Sequence, residues 1–444
     1  MKYLETLLLC IVVCVSAAGQ DINPTLYKPN QIIEDINFLL ENMNKIHPNF
    51  NQCFSDSSFT AKIDSIKDAI HDPMTKHQFF KLMQPFIAID SHTSLRFDGK
   101  IVPEIEAPLF PFKIILFENQ MVVKENLSSN KNIKKGAIIE SINGLQTSIV
   151  IENLSKYVPH DGSRIRTQKI ADEFHNFYRL LYGNFPEFRL VISDQGKKEK
   201  VRVSGTKFES FVSESRPQFE FRSLEDSVAY FYIGHFRKPD YFMNTIDSIF
   251  TLLQKKNIEY LIIDKRSGGG FADLADSLLS YLTDRPYHPI EKKAVKISFA
   301  NEDYISENKS KGIIKDGYLI LEYPMNQPVK RQNMFRGKTY VLVNHGSSSA
   351  ATYFASAVKC NELGILVGEE APQPLISNGD LIRFRLPNTK LMCYSSMSTY
   401  YLPCAENRDD SVIPDFEVKY SVEDLLNGQD RCLEYTLDLI DKEE

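Results

Sequence analysis

The stretch Val341-Leu342-Val343-Asn344-His345-Gly346-Ser347-Ser348-Ser349-Ala350-Ala351 runs from apolar, β-branched residues through a glycine and three serines into small, helix-favouring residues. The apolar run fits a strand buried on both faces, and the alanines open a helix. A strand-to-helix turn lifts a side chain out of the core. It also aims backbone N–H groups at the same point, because the first N–H groups of a helix have no intrahelical acceptor. One of these serines can therefore present a hydroxyl to a substrate, although serine is also a common helix cap and Ser347 or Ser348 alone reads equally well that way.

Working outward, Val228 to Ile233 reads as a strand, Phe242, Ile246, Ile249, Phe250 and Leu253 form a helical stripe, and Tyr260 to Ile263 is a second buried strand. It leads into Asp264-Lys265-Arg266-Ser267-Gly268-Gly269-Gly270, then a helical pattern from Asp273 to Leu282, and Ile365 to Val367 supplies a further strand. Such alternation implies crossover connections and a mainly parallel sheet with its chemistry at the strand ends. Three consecutive glycines leave backbone N–H groups unshielded ahead of a helix N-terminus, a place where developing negative charge is stabilised. No GxxxxGK[ST] or GxGxxG pattern accompanies them, which argues against nucleotide binding.

Towards the N-terminus, residues 105–205 read as a β-rich module, with strands at Phe112 to Leu116, Met121 to Val123, Ala137 to Ile142, Phe188 to Ile192 and Val201 to Val203. Within it, Lys135-Gly136-Ala137-Ile138-Ile139-Glu140-Ser141-Ile142-Asn143-Gly144 resembles the hairpin of PDZ domains, which bind chain termini by adding them as a strand at a sheet edge. An ordinary Asn-Gly hairpin uses the same residues. Residues 20–104 form a helical region, in which Ile32, Ile36, Leu39, Leu40 and Met43 recur on one face. It ends in a turn at Asp90-Ser91-His92-Thr93.

The extreme N-terminus has Lys2, an apolar run from Leu7 to Val15 and the small residues Ser16-Ala17-Ala18, which together read as a secretion signal over residues 1–18. The run is too short to span a bilayer, so no membrane span is expected in the mature chain. Export leaves Cys53, Cys360, Cys393, Cys404 and Cys432, enough for at most two disulfides and requiring none. No Cys/His cluster has metal spacing, so neither metal nor cofactor is expected. A formal charge of −6 over 444 residues, without a basic cluster, makes nucleic acid an unsuitable partner.

The segment from Val341 to Ala351, with Phe354-Ala355 and Gly364-Ile365-Leu366-Val367-Gly368-Glu369 following it, is similar to the nucleophile region of C-terminal processing and tricorn-type serine peptidases. On that motif Ser349 takes the nucleophile position. Ile262-Ile263-Asp264-Lys265-Arg266 with Gly268 to Gly270 resembles the family's glycine-rich segment, one residue shorter than its usual form. Gly269 and Ala350 are then the oxyanion-hole donors the resemblance implies. Asp90-Ser91-His92-Thr93 resembles the Asp-x-His-Thr element of the tricorn-like branch, which implies His92 as base with Ser91 supporting it. The implied architecture is a multidomain α/β protein: a helical N-terminal domain, a PDZ-like domain over 105–205 and a crotonase-like catalytic core over 206–444.

One departure decides the mechanism. The classical peptidases of this kind use a lysine some two dozen residues after the serine, and none occurs between Lys359 and Lys390. Histidine is the natural replacement, since its ordinary pKa lies near neutrality. His92 carries the resemblance; His345 and His235 are rivals. The orienting carboxylate implied by the branch precedes Val412-Ile413-Pro414-Asp415, and Glu406 is the choice, with Asp409, Asp410 and Glu370 as competitors. The expected activity is peptide-bond hydrolysis on polypeptide or peptide substrates, in the periplasm or outside the cell. A catalytically inactive, exported peptide-binding protein of the same fold is the alternative. Acyl-CoA chemistry, which crotonase-like cores also perform, fits poorly with export.

Overall fold

This computed structural model describes residues 25–50, 57–102, 107–161, 163–211, 216–327, 329–407 and 410–443. The expected secretion signal, Cys53 and Asp409 lie outside the described residues.

Apolar residues at helical spacing build the first three helices. Strands β1 (Leu26–Tyr27) and β2 (Met74–Thr75) pair antiparallel around α1 (Pro29–Ile46) and α2 (Ser57–Asp68), and α3 (Lys76–Ile87) follows. Pro29 opens α1, where its missing N–H costs nothing, and Ile32, Ile36, Leu39, Leu40 and Met43 are all buried as their spacing predicts. A capping box starts α3: the Gln78 N–H donates to Thr75 Oγ1 at 3.2 Å and the Thr75 N–H to Gln78 Oε1 at 2.7 Å. After the Asp90–Thr93 turn comes β3 (Ser94–Arg96).

The middle segment carries β4 (Phe112–Phe117), β5 (Gln120–Asn126), β6 (Ile138–Ile142) and β7 (Leu145–Gln146), then α4 (Thr147–Ser155), α5 (Ser163–Asp172) and α6 (Phe174–Tyr182), then β8 (Glu187–Asp194) and β9 (Lys197–Ser204). Its sheet is antiparallel in the order β4-β5-β6-β8-β9. The Asn143-Gly144 turn takes positive φ at both residues (51° and 89°), the requirement that makes Asn-Gly favourable there. The expected strands are present, and three helices between β7 and β8 stand beside them in the β-rich segment. Few apolar residues mark α5, so its periodicity is faint. One apolar cluster runs from Leu39 and Met43 through Phe110 and Ile139 to Leu190, so the helical region and the middle module share a core.

The last segment is built on β10 (Phe219–Ser223), β11 (Val228–Ile233), α7 (Pro239–Lys255), β12 (Tyr260–Asp264), α8 (Ala272–Leu279), β13 (Lys292–Lys296), α9 (Glu302–Asn308), β14 (Ile313–Lys315) and β15 (Tyr318–Glu322). It continues with β16 (Lys338–Val343), α10 (Ala350–Cys360), β17 (Ile365–Gly368), β18 (Ile376–Arg385), β19 (Met392–Tyr401), β20 (Phe416–Glu417), α11 (Val422–Asn427) and α12 (Arg431–Asp441). The central sheet has the order β10-β11-β12-β16-β17-β20 and is parallel from β11 onward, as the alternation predicts. Residues of α7, α8 and α10 cover one face through Phe242, Leu278 and Phe354, and Ile440 of α12 packs on the other with Tyr230 and Leu342.

A second, antiparallel sheet, β14-β15-β13-β19-β18, was not legible in the sequence. Its strands mix lysines and hydroxyls with apolar residues, which blurs the period of two. The sheet matters because β3 pairs with β19, Leu95 opposite Cys393, and so brings the turn carrying His92 onto the last segment. Among the described residues no helix is long and apolar enough to cross a membrane.

Candidate active site

Strand β16 hands the chain to α10 through a tightly bonded turn. Asn344 Oδ1 accepts the Gly346 N–H at 2.8 Å, and Ser347 Oγ accepts the Asn344 N–H at 3.1 Å while donating to the Lys265 carbonyl at 2.9 Å. Ser347 is fully buried, and its role is to tie the ends of β16 and β12 together. Ser349 is different. Its backbone sits at φ 57°, ψ −123°, and its side chain makes no capping bond to α10. A non-glycine residue in such a conformation costs about 1–3 kcal/mol, and a strained strand-to-helix turn is how hydrolases expose a nucleophilic serine. The Ser349 N–H donates to Gln373 Oε1, which holds the turn from behind.

The glycine loop after β12 comes up against this serine. A Cβ built on Gly269 would lie 2.6 Å from Ser349 Cβ and 3.1 Å from its Oγ, so only a bare backbone fits there. That approach is what an N–H donor to an oxyanion near Oγ needs. Ala350, the first residue of α10, offers a second N–H without an intrahelical acceptor. Beneath the loop, the Lys265 ammonium is buried and bonded to main-chain carbonyls, and burial pulls its pKa down to about 7 despite the opposing pull of Asp264.

The turn of His92 is held by Asp90. Its Oδ1 accepts the His92 N–H at 2.9 Å and the Thr93 N–H at 2.7 Å, while Oδ2 lies 2.8 Å from His47 Nε2 and accepts from Asn378 Nδ2 at 3.2 Å. Because the Asn49 N–H donates to His47 Nδ1, His47 carries its proton on Nε2 and donates to Asp90. Burial alone would push the Asp90 carboxyl up, but the His47 bond, the nearby His92 and Thr93 outweigh it and hold the group below the usual carboxylate range. The Ser91 N–H donates to Asp161 Oδ1 at 2.9 Å. Among the described residues, His92 Nδ1 and Asp161 Oδ2 are buried without a hydrogen-bond partner. Asp161 sits in the field of His92, and burial, reinforced by the Asp90 charge, raises its pKa.

A relay on β18 joins the two halves. Gln373, which accepts the Ser349 N–H, donates from Nε2 to Ser377 Oγ at 3.2 Å, and the next residue, Asn378, donates to Asp90. Sequence reading missed Gln373. Its signal was available, since it stands 24 residues after Ser349, at the spacing searched for a lysine.

The remaining candidates separate clearly. His345 is engaged elsewhere, with Nε2 3.2 Å from Glu369 Oε1 and Nδ1 3.3 Å from the Glu370 carbonyl. His235 is exposed, and its ring lies under Gly268, where an added Cβ would come within 2.1 Å of Nδ1. Glu406 is exposed on a loop whose two ends are tied at Leu375: Leu402 N–H donates to the Leu375 carbonyl at 3.0 Å and Leu375 N–H to the Asp410 carbonyl at 2.7 Å. Asp410 is spent inside that loop, its Oδ2 accepting the N–H groups of Glu406 (2.8 Å) and Asn407 (2.6 Å). Glu370 accepts from Ser411 Oγ at 2.5 Å. A disulfide between Cys360, at the end of α10, and Cys404 fixes the loop to the helix that Ser349 begins; Cys393 and Cys432 are free and buried.

A parallel sheet whose adjacent strand ends carry a glycine loop and a strained serine is a hydrolase-type core. Residues 227–418 match the model of peptidase family S41. Among solved structures, it is similar to mature CPAF, with a TM-score of 0.65 and 15% identity over 90% of this chain and 94% of that one. The structure of mature CPAF complexed with lactacystin gives a TM-score of 0.67 at 15% identity, covering 93% of this chain and 97% of that one. At this identity the likeness is one of fold. No curated protein matches the chain.

Proposed function

We propose that the chain is an exported serine peptidase that hydrolyses peptide bonds by acyl transfer. Ser349 is the nucleophile, His92 the general base, Glu406 the carboxylate that orients the imidazole, and the Gly269 and Ala350 N–H groups form the oxyanion hole. The observation that carries this reading is the strained Ser349 backbone with bare Gly269 packed against it. His92 takes the proton from Ser349 Oγ as the oxygen attacks the substrate carbonyl carbon, and the two N–H groups hold the resulting oxyanion. His92 then gives the proton to the leaving amine, and water attacks the acyl-enzyme with His92 again as base. Ser91 supports the base by anchoring its turn to Asp161.

The middle sheet with its Asn143-Gly144 hairpin is read as PDZ-like, accepting a substrate chain terminus as an added strand. The Cys360–Cys404 disulfide suits an oxidising compartment and so supports export to the periplasm or the outside. A second assignment of the orienting carboxylate rests on one observation, the unpartnered Asp161 Oδ2 in the field of His92.

A fluorophosphonate probe tests the reading. The wild-type chain should become labelled at Ser349 and cleave peptides, while Ser349→Ala, folded normally, should do neither. A wild-type chain that neither labels nor cleaves, yet binds peptides, would establish the inactive binding protein instead.

A further inference from the structure

We propose that Lys265 is a positioning residue for the oxyanion hole: its buried ammonium holds the Gly268–Gly269 peptide so that the Gly269 N–H faces Ser349. The inference rests on the peptidase reading above and adds to it a residue whose type no part of that mechanism requires.

Strand alternation sets up the contact. Asp264, the last residue of β12, sends its carboxylate to Arg266 (Nε to Oδ1, 3.0 Å) and to Tyr230 (2.5 Å), and the next side chain leaves on the opposite side, under the glycine loop. There Lys265 Nζ donates to four main-chain carbonyls: Ile233 at 3.1 Å and Gly234 at 3.3 Å from the end of β11, and Ser267 at 2.5 Å and Gly268 at 3.3 Å from the loop itself. The Phe236 ring lies 4.7 Å from the ammonium.

Peptide geometry turns this contact into an orientation. A trans peptide is planar, with its C=O and N–H pointing in opposite directions. Drawing the Gly268 carbonyl toward Lys265 therefore turns the Gly269 N–H away from it, towards the side where Ser349 lies. The following peptide is fixed as well, because the Phe236 N–H donates to the Gly269 carbonyl at 3.0 Å. Both peptide planes flanking Gly269 are thus held by outside partners. They need to be: Gly268 and Gly270 have φ of 53° and 137°, and a glycine run left alone samples many orientations.

The ammonium supplies a donor to buried and part-buried main-chain carbonyls, so its removal also costs stability, and the positioning role is read from the rate rather than from the melt. A buried charge with only neutral partners is costly, and a neutral donor could bond some of the same carbonyls at lower cost. The charged and titratable groups around it are few: Asp264 on its own strand, and His235 and Arg237 beyond β11, with His235 itself pulled down by burial, Arg237 and Lys265. None of them takes a hydrogen bond from the ammonium among the bonds described. The group is placed for the carbonyls.

The test compares the full-length wild type with Lys265→Met and Lys265→Gln, using steady-state peptide hydrolysis, the rate of fluorophosphonate labelling and thermal melts. Misdirecting one oxyanion donor should lower kcat ~100-fold in Lys265→Met, with labelling slowed in parallel, KM changed by less than about threefold and the variant, though melting earlier, still folded at the assay temperature. Lys265→Gln, which keeps a neutral donor, should fall between the two. If Lys265→Met does not fold, the glutamine variant carries the test alone, with the same split between kcat and KM. Folded variants whose kcat lies within about threefold of wild type would overturn the proposal, as would a loss confined to KM or to stability. A wild type that neither labels nor cleaves would overturn the peptidase reading itself, and the positioning role with it.

Discussion

Gly269 approaches Ser349 so closely that a single added methyl group would stand 2.6 Å from the serine Cβ. The alanine variant must push the loop away from the serine, and the N–H moves with it. Gly269→Ala is therefore expected to lower kcat by about 10²- to 10³-fold, the usual effect of losing one oxyanion donor. Circular dichroism and peptide hydrolysis on the same preparation check this; a folded variant with normal turnover would remove Gly269 from the oxyanion hole.

Gln373 accepts the Ser349 N–H, and Thr352 Oγ1 donates to the same oxygen at 3.4 Å. Replacing it by leucine strands a part-buried N–H, which costs up to about 1–3 kcal/mol, so Gln373→Leu should melt earlier and turn over at least about tenfold more slowly. Gln373→Lys tests the spacing of the classical dyad. A lysine has no acceptor to offer the Ser349 N–H, and this variant is expected to be as impaired as leucine rather than to regain a base.

These two residues show how far the sequence could be read. Strands with continuous apolar runs, such as Tyr260 to Ile263 and Tyr340 to Val343, announce a parallel sheet because both faces are buried, whereas the order of its strands is seen only in the structure. The close approach of the glycine loop to the serine turn could be anticipated at Gly269 and Ser349 because both residue types are distinctive at strand ends. Gln373 stands at a legible spacing, but its role is not legible, since it acts through one side-chain oxygen on the Ser349 N–H. The His47–Asp90 bond, 43 residues apart, and the docking of β3 on β19 are tertiary facts that no local pattern encodes. The helix α5 was missed for a local reason, its scarcity of apolar residues.

The Cys360–Cys404 bond closes a long loop, with the two residues 44 positions apart. By loop-closure entropy such a cross-link contributes about 4 kcal/mol to stability. Cys404→Ser should lower the denaturation midpoint accordingly, and because Cys404 stands two residues before Glu406 it should also reduce kcat. Reductant added to the wild type should reproduce both effects; an unchanged melt under reducing conditions would show that the bond does not form.

Lys265 gives stability a pH dependence with a defined sign. Its pKa is 10.5 in the ordinary state and about 7 when buried in the fold. Between those values the unfolded chain binds more protons than the folded one, so the lysine's contribution makes stability rise with pH from about 7 towards 10. Lys265→Met lacks this contribution. Denaturant midpoints at pH 6, 7, 8 and 9 should show the difference between wild type and variant shifting in favour of wild type as the pH rises, while contributions from all other groups cancel. A constant difference would mean that the ammonium is not desolvated.

Two carboxylates are proposed to orient His92, Glu406 and Asp161, and their environments differ. Asp161 is close to His92 but buried beside Asp90, which pushes it towards the neutral acid, and a neutral acid does little to stabilise an imidazolium. Its Oδ1 is also committed to the Ser91 N–H. Glu406 is exposed, on a loop pinned at Leu375 and at Cys404. Converting the orienting carboxylate of a triad to its amide typically lowers kcat about 10⁴-fold. Glu406→Gln is expected to show a loss of that order, and Asp161→Asn a loss of no more than about tenfold, measured at saturating peptide. The reverse ranking would transfer the role to Asp161 and leave Ser349 and His92 in place.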